Sequence, residues 1–296
     1  MNFGRIVTAM VTPFDQHGGV DVEATKSLVK HLIVNGSDAL VVGGTTGESP
    51  TLSTEEKCLL FKTVVQTVKE LGGQVPVIAG TGSNNTQESI ELTKLAEDLG
   101  ADAIMLVAPY YNKPSQEGLY AHFSTIAAAT KLPIMIYNIP GRSSVNISVE
   151  TTLRLAQIPN IVATKEASGD LDAMASIIEG APEGFSLYSG DDSLTLPILS
   201  IGGIGIVSVA SHVIGNEMQD MIQRFESGQV KEAAGLHRQL LPLMNTLFIA
   251  PNPTPVKAAL EMKGIKSGSV RLPLVPLTET EQQKLQHALN IKSIII

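Results

Sequence analysis

Eight short apolar segments recur along the 296-residue chain, separated by stretches with helical periodicity. They are rich in β-branched residues and continuously apolar, as strands are when helices cover both faces of a parallel sheet. The segments are Ile6–Val11, Ala39–Val42, Val75–Ala79, Ala103–Val107, Ile134–Asn138, Ile161–Lys165, Phe185–Ser189 and Gly205–Val209. Each strand and helix together occupy roughly 30 residues, the size of a βαβ crossover. Eight such units predict an α/β fold, a closed (β/α)8 or TIM barrel.

The segments between the strands carry helix start and stop signals. Ser53, followed three residues later by Glu56, has the spacing of a capping box, and Gly72 marks the end of that helix. No Gly-x-Gly-x-x-Gly motif follows the first strand, which disfavours an open dinucleotide-binding sheet.

The chain continues beyond the eighth strand with further helical patterns. These patterns span 217–226, 231–245 and 255–263, and a last one begins at the capping box of Thr278 and Glu281. The first would complete the barrel and the others would form a C-terminal helical appendage. We therefore expect a barrel domain at 1–227 and a helical region at 228–296.

Composition excludes several function classes. The chain has 21 Lys and Arg residues against 29 Asp and Glu residues, a net charge of −8, and no basic cluster suited to nucleic acid. Its one cysteine, Cys58, rules out an intramolecular disulfide, and its six histidines show no metal-ligand spacing, so we expect no metal and no cofactor. Met1–Met10 lacks a signal-peptide pattern, and no apolar run of membrane-spanning length occurs, which predicts a cytoplasmic protein.

The most informative single residue is Lys165, which ends the sixth strand. A strand-end lysine most often holds its charge in water. A lysine can attack a carbonyl only when its amine is neutral, and burial in an apolar site lowers the pKa enough to allow this. Because side chains alternate along a strand, Lys165 should share a face with Ala163 and Ile161, while Glu166 points away and is not its ion-pair partner.

Other polar residues follow neighbouring strands at the same predicted end of the barrel, where barrel enzymes place their active sites. Tyr137 ends the strand next to that of Lys165, so the phenol and the amine can meet and exchange protons. Arg142, in the following loop, has a planar guanidinium suited to a carboxylate. Asp191 and Asp192 follow the seventh strand and are interpreted as a turn and helix cap.

Six motifs in fixed order resemble one enzyme family over nearly the whole chain. They are GTTGES at 44–49, PYYNKPSQEGLY at 109–120, YNIPGR at 137–142, TKEASGD at 164–170, SGDD at 189–192 and PNPTPVK at 251–257. The chain resembles the 4-hydroxy-tetrahydrodipicolinate synthases, also called dihydrodipicolinate synthases, of the pyruvate-dependent Schiff-base aldolase family.

That resemblance implies a reaction and a set of site residues. Lys165 would condense with pyruvate, and the enamine would attack L-aspartate 4-semialdehyde to give 4-hydroxy-tetrahydrodipicolinate, the first committed step toward diaminopimelate and lysine. No external cofactor is implied, since pyruvate is held covalently. The implied roles are proton relay by Tyr137 with Thr45 and Tyr111, pyruvate binding by Thr46 and Val207, a backbone carbonyl from Gly190, and carboxylate binding by Arg142.

The resemblance also bears on assembly and regulation. Family members are usually homotetramers built from dimers, with Tyr111 supplied by the neighbouring subunit. The implied effector site for lysine comprises Ser49, Asn84, Glu88 and Tyr110. Lysine-inhibited members of the family carry histidines where this chain has Thr54 and Lys57, and Pro50 adds a stiff residue to the preceding loop. The extra ammonium of Lys57 should repel cationic lysine. We therefore expect feedback inhibition to be weak or absent.

Two alternatives remain from the sequence. A related aldolase, such as an N-acetylneuraminate lyase or a 2-keto-3-deoxy sugar acid aldolase, would use the same lysine and tyrosine with another aldehyde pocket. A non-catalytic barrel that binds a metabolite would need neither side chain to react. Arg142 and Tyr111 argue against the first alternative, and the intact Tyr137 and Lys165 argue against the second.

Overall fold

The computed structural model describes residues 3–292, and within them eight parallel strands close into a barrel in chain order, β1 pairing with β8. The strands are β1 Ile6–Ala9, β2 Ala39–Val42, β3 Val77–Gly80, β4 Ala103–Val107, β5 Ile134–Asn138, β6 Ile161–Glu166, β7 Ser186–Ser189 and β8 Gly205–Ser208. The predicted (β/α)8 barrel is confirmed, and strand ends differ from the predicted ones by at most two residues.

Helices connect successive strands and cover the barrel. Up to the seventh strand they are α1 Val22–Val34, α2 Thr54–Glu70, α3 Thr86–Asp98, α4 Gln116–Ala128, α5 Pro140–Ser143, α6 Val149–Leu155 and α7 Leu171–Gly180. The capping box predicted for α2 is present, with the Ser53 hydroxyl accepting from Glu56 N and the Glu56 carboxylate accepting from Ser53 N. Local sequence therefore sets where this helix begins.

The later helices are α8 Thr195–Ser200, α9 Ser211–Glu226, α10 Val230–Thr246, α11 Thr254–Met262 and α12 Glu279–Lys292. The second capping box is also confirmed, because Glu281 N donates to the Thr278 hydroxyl while the Glu281 carboxylate accepts from Thr278 N. The division at residue 227 stays a prediction, and residues 1–2 and 293–296 lie outside the described part of the chain. No helix within residues 3–292 combines the length and apolarity needed to cross a bilayer.

The strand side chains build two apolar layers, because successive residues point to opposite faces. The inner layer fills the barrel and includes Val7, Val41, Ile78, Met105, Met135 and Val207. The outer layer packs under the helices and includes Ile6, Leu40, Ile104, Leu106, Ile134 and Ile136. At the amino-terminal end of the barrel the Tyr188 hydroxyl accepts from Phe3 N at 3.2 Å and donates to Gly4 O at 3.1 Å.

The start of β6 departs from simple alternation. Ile134 pairs with Ile161, but the next residue, Met135, pairs with Ala163, so Val162 is an extra residue in the β6 strand. Ile161 consequently packs in the outer layer while Ala163 packs inside the barrel. The prediction that Ile161 shares the face of Lys165 was therefore wrong, because a bulge shifts every residue before it by one position.

Candidate active site

Lys165 and Tyr137 meet at the carboxyl end of the barrel. They are register partners on the adjacent strands β6 and β5, and only 5% of Lys165 and 3% of Tyr137 is exposed. The lysine Nζ lies 3.9 Å from the centroid of the tyrosine ring. The predicted encounter is confirmed, but the amine lies over the ring face. A cation over a ring is favoured, so this contact alone would keep the amine charged.

Burial decides the charge state of Lys165. The pKa of the amine is lowered to about 7, chiefly by desolvation; the Asp192 carboxylate opposes this shift and the nearby Arg142 guanidinium adds to it. Within residues 3–292 no carboxylate forms an ion pair with Lys165. Glu166 instead accepts a hydrogen bond from the Ser168 hydroxyl at 2.7 Å. Activation by burial, without Glu166 as a partner, is therefore what the geometry supports.

A pH dependence follows from the lowered pKa of Lys165. The protonated amine, which is unreactive, predominates below about pH 7 and the neutral amine predominates above it. The rate of pyruvate adduct formation should therefore rise about tenfold per pH unit below the pKa and level off above about pH 8. To measure this rate, the enzyme is incubated with pyruvate for set times at each pH, and the adduct is then reduced with borohydride at one fixed pH. A rate that keeps rising through about pH 9 would show an amine with an ordinary pKa.

Tyr137 is arranged to remain a neutral phenol. Burial raises the pKa of its hydroxyl to about 12, while the charge of Arg142 and hydrogen bonding with the Thr45 side chain hold it back. A neutral phenol can donate a proton and then take one back. The contact with Thr45 unites two residues of the predicted relay.

Thr45 lies in the glycine-rich loop that follows β2. Gly43 turns this loop with φ +71°, a left-handed conformation that favours glycine. Glu48 N donates to Thr45 O at 3.0 Å, and the Thr12 hydroxyl donates to Gly47 O at 2.7 Å. The neighbouring Thr46 hydroxyl is buried and accepts from Asn252 Nδ2 at 2.9 Å. The loop is thus held from several sides.

A cavity of about 240 Å³ opens beside these residues. Its lining includes Thr45, Ser49, Pro50, Tyr110, Tyr137 and Arg142. Arg142 belongs to the one-turn helix α5, not to an irregular loop as the sequence suggested, and its side chain is exposed at the mouth. No ion pair of Arg142 occurs among residues 3–292. A guanidinium in this position is available to a carboxylate.

Gly190 borders Lys165, whereas Val207 is part of the inner layer of the barrel. A Cβ at Gly190 would lie 3.1 Å from Lys165 Cε and 2.7 Å from the Ala167 side chain, so a larger residue there would displace the lysine. Gly190 N donates to Glu166 O at 2.6 Å. Val207, 1% exposed, packs in the inner layer of the barrel. Glycine at 190 is thus required by the close approach of the lysine.

Tyr111 does not join the other relay residues within its own chain. Its side chain is 89% exposed and its backbone has φ +73°. The preceding residue, Tyr110, lines the cavity, and its carbonyl accepts from Asn84 Nδ2 at 3.2 Å. An outward tyrosine fits the expectation that Tyr111 serves a neighbouring subunit.

The predicted effector residues lie around the same loop. Ser49 and Tyr110 line the cavity, Asn84 bonds to Tyr110, and Glu88 accepts from the Ser83 hydroxyl at 3.0 Å. Lys57 is half-buried nearby, where burial lowers the pKa of its ammonium and the Glu88 carboxylate opposes that shift. The extra cation is therefore close to an acidic residue of the predicted site.

Asp192 has a different role from the one predicted. Asp191 does cap the turn, since its Oδ1 accepts from Ser193 N at 2.9 Å. The Asp192 carboxylate is buried and accepts from the Ser208 hydroxyl at 2.5 Å and from Val209 N and Ala210 N at the end of β8. The interpretation of Asp192 as a cap was wrong, because its carboxylate oxygens accept hydrogen bonds from residues at the end of β8.

Sequence reasoning also missed Glu48, Asn252 and Lys257, which hold the glycine-rich loop. Lys257 could have been noticed because it is a charged residue within the apolar pattern of α11, where Val256 and Ala259 are also buried. Its partner could not be read from the pattern. Within residues 3–292 no group of three or more His, Cys, Asp or Glu side chains is placed to hold a metal ion.

Comparisons with known proteins agree with this geometry. The model of the dihydrodipicolinate synthetase family matches residues 2–292. A 4-hydroxy-tetrahydrodipicolinate synthase of Halalkalibacterium halodurans is 69% identical over 290 residues, covering 98% of this chain and 97% of the relative.

Solved structures are similar over the same extent. The crystal structure of a dihydrodipicolinate synthase from Bacillus anthracis superposes with a TM-score of 0.96 at 59% identity and covers 98% of each chain. A dihydrodipicolinate synthase from Cyanidioschyzon merolae, solved with lysine bound, has a TM-score of 0.96 at 50% identity and covers 99% of each chain.

Proposed function

This chain belongs to the dihydrodipicolinate synthetase family, and from that premise we propose how its residues carry out the reaction. The activity is that of a 4-hydroxy-tetrahydrodipicolinate synthase, a Schiff-base-forming lyase of lysine biosynthesis. The substrates are pyruvate and L-aspartate 4-semialdehyde. The observation that carries the residue assignments is the buried Lys165 amine, with its pKa lowered to about 7, in contact with Tyr137.

The first half of the reaction forms the enamine. The neutral Lys165 Nζ attacks the keto carbon of pyruvate, and the Tyr137 phenol protonates the oxygen that leaves as water. The tyrosinate, which hydrogen bonds with the Thr45 side chain, then takes a proton from the pyruvate methyl group. This restores the phenol and converts the iminium into an enamine, whose electron pair attacks next.

The second half joins the substrates and frees the lysine. The enamine carbon attacks the aldehyde carbon of the semialdehyde, whose oxygen takes the proton of the Tyr137 phenol and becomes the 4-hydroxyl group. The semialdehyde amino group then attacks the iminium carbon, and the Lys165–carbon bond breaks as the ring closes. Arg142, at the mouth of the cavity without an ion pair in the described residues, binds the semialdehyde carboxylate. Thr46, Val207 and the Gly190 carbonyl border the pyruvate.

We assign the assembly a role in this relay. The 89% exposed Tyr111 cannot serve its own chain's Tyr137 from where it lies, so a second copy would supply it. This supports an assembly of at least two copies, and the homotetramer built as a dimer of dimers that the resemblance implies stays a prediction. The cytoplasmic location expected from the sequence stays a prediction.

The reaction is tested by comparing aldehyde substrates. With pyruvate present, aspartate semialdehyde should be consumed in a coupled assay while N-acetylmannosamine and sugar aldehydes are not, because Arg142 offers a carboxylate site. The naming of relatives at 60% to 69% identity as synthases favours this substrate over those of the sugar acid aldolases. Preferred turnover of a sugar aldehyde would contradict it.

Lysine should inhibit the enzyme weakly. A lysine molecule entering the site near Glu88 meets the Lys57 ammonium, and two like charges at close range repel. A dose-response assay in the millimolar range should show little inhibition. Lys57→Gln should strengthen inhibition, whereas Lys62→Gln, on the exposed side of the same helix, should not change it. Strong inhibition of the unmodified enzyme by millimolar lysine would refute the expectation.

A further inference from the structure

A buried ion pair joins the glycine-rich loop to the C-terminal helices. Glu48, with a left-handed φ of 56°, directs its carboxylate away from the cavity to Lys257 of α11, with 2.8 Å between Oε1 and Nζ. The two side chains are 1% and 2% exposed. Screening by water is therefore small, and the pair is strongly directional.

Both charged groups of this pair have further partners. Lys257 Nζ also donates to Ser269 O at 2.8 Å and lies 4.1 Å from the centroid of the Phe14 ring. The second carboxylate oxygen of Glu48 accepts from Arg271 N at 2.9 Å. Each charge thus has several partners, and the geometry allows one arrangement of the Glu48 side chain.

Glu48, the member of the pair that lies in the glycine-rich loop, is linked to Thr45 of the proton relay by a backbone hydrogen bond. Glu48 N donates to Thr45 O at 3.0 Å, closing the turn that presents the Thr45 hydroxyl. Asn252, five residues before Lys257, donates to the adjacent Thr46 hydroxyl at 2.9 Å. The segment 252–257 therefore contacts the glycine-rich loop at two residues, Thr46 and Glu48.

Stability by itself does not account for this arrangement. Apolar side chains of similar volume often stabilise a core as well as a buried ion pair does. An ion pair differs in fixing direction and distance, and here it ends next to a hydroxyl that must contact Tyr137. A misplacement of about 1 Å can cost on the order of 10²-fold in rate.

We propose that Glu48 and Lys257 form a positioning pair, tying α11 to the glycine-rich loop so that the Thr45 hydroxyl stays against Tyr137. The proposal rests on the proposed function, because it assigns the pair a role in that relay. Neither residue touches the substrates, and both act through Thr45.

The test is a double-variant cycle of Glu48→Gln, Lys257→Met and the combination of both. Turnover is measured with pyruvate and aspartate semialdehyde and divided by the number of sites that borohydride traps with pyruvate. This ratio excludes misfolded protein from the comparison. Each single variant leaves one buried charge without its partner, so both should melt at lower temperature than the parent.

The combined variant separates positioning from stability. It holds no unpaired charge, so its melting temperature should return toward that of the parent. Its kcat per trapped site should still be at least about tenfold low, with the KM for pyruvate nearly unchanged, because the tie to the loop is gone. Glu117→Gln, which breaks the exposed pair with Arg154, is the matched control and should change kcat by less than about twofold.

Each other outcome counts against the proposal in a defined way. A combined variant with parental kcat per trapped site would overturn the positioning role while leaving the reaction intact. One that folds but traps no pyruvate would also overturn it, since the pair would then maintain the Lys165 site itself. A combined variant that does not fold would make the pair structural. If the unmodified enzyme formed no adduct and no product, the proposed function itself would fail.

Discussion

Replacing Lys165 with alanine is expected to abolish the pyruvate adduct and to reduce turnover on the order of 10⁴-fold or more, because no other group can supply the bonding nitrogen. The unmodified enzyme, treated with pyruvate and borohydride, should carry the added mass on the peptide containing Lys165. The alanine variant should carry none. Lys131→Ala, which changes an exposed lysine, should be trapped as efficiently as the parent.

The fold should survive this substitution. Lys165 lies at the mouth of the barrel, and its amine has no ion pair within residues 3–292 to lose. Removing a buried amine also removes its desolvation penalty. The melting temperature should stay within about 5 °C of the parent. Lys165→Met, which keeps most of the side-chain volume, should behave alike. Global unfolding of both variants would mean that Lys165 is structural, and an adduct retained on either would place the Schiff base elsewhere.

Replacing Tyr137 with phenylalanine should lower kcat by about 10²-fold or more, the usual loss when a positioned proton donor is removed. The ring remains, so the packing of the inner layer and the contact with Lys165 Nζ are kept. The adduct with pyruvate should still form, but slowly, because the leaving oxygen lacks its proton source. Rapid quenching into borohydride separates adduct formation from later steps.

Tyr188→Phe is the matched control for this variant. It removes another buried tyrosine hydroxyl from the inner layer, one that contacts Phe3 N and Gly4 O at the opposite end of the barrel. The loss should lower stability by about 1–3 kcal/mol with kcat changed by less than about threefold. Equal losses of kcat in the two variants would show that the Tyr137 hydroxyl acts through packing and not through proton transfer.

The fold was predictable because its signals are local. A strand buried on both faces is apolar in every residue, and this pattern recurs eight times whatever the rest of the chain does. The capping boxes at Ser53 and Thr278 are equally local, since each joins residues three positions apart. The extra residue at Val162 carried no such signal, because a bulge arises from the match between two strands.

The contact between Tyr137 and Lys165, the proposed reacting pair, was also predictable from the sequence. Once the strands are numbered, Tyr137 and Lys165 end neighbouring strands, and barrel geometry brings neighbouring ends together. The position of the amine over the ring face was not predictable. It depends on side-chain conformations that the surrounding packing selects.

By itself the sequence determined the barrel, the end at which its polar residues gather, and Lys165 as the candidate Schiff-base lysine. Each follows from periodicity or from order along the chain. Only the tertiary structure decided how much of Lys165 is buried, that the Asp192 carboxylate holds the end of β8, and that Glu48 pairs with Lys257 across 209 residues of chain. Pairings at such separation form only when the chain folds, because only then do both side chains lose their hydration and need an opposite charge to offset its loss.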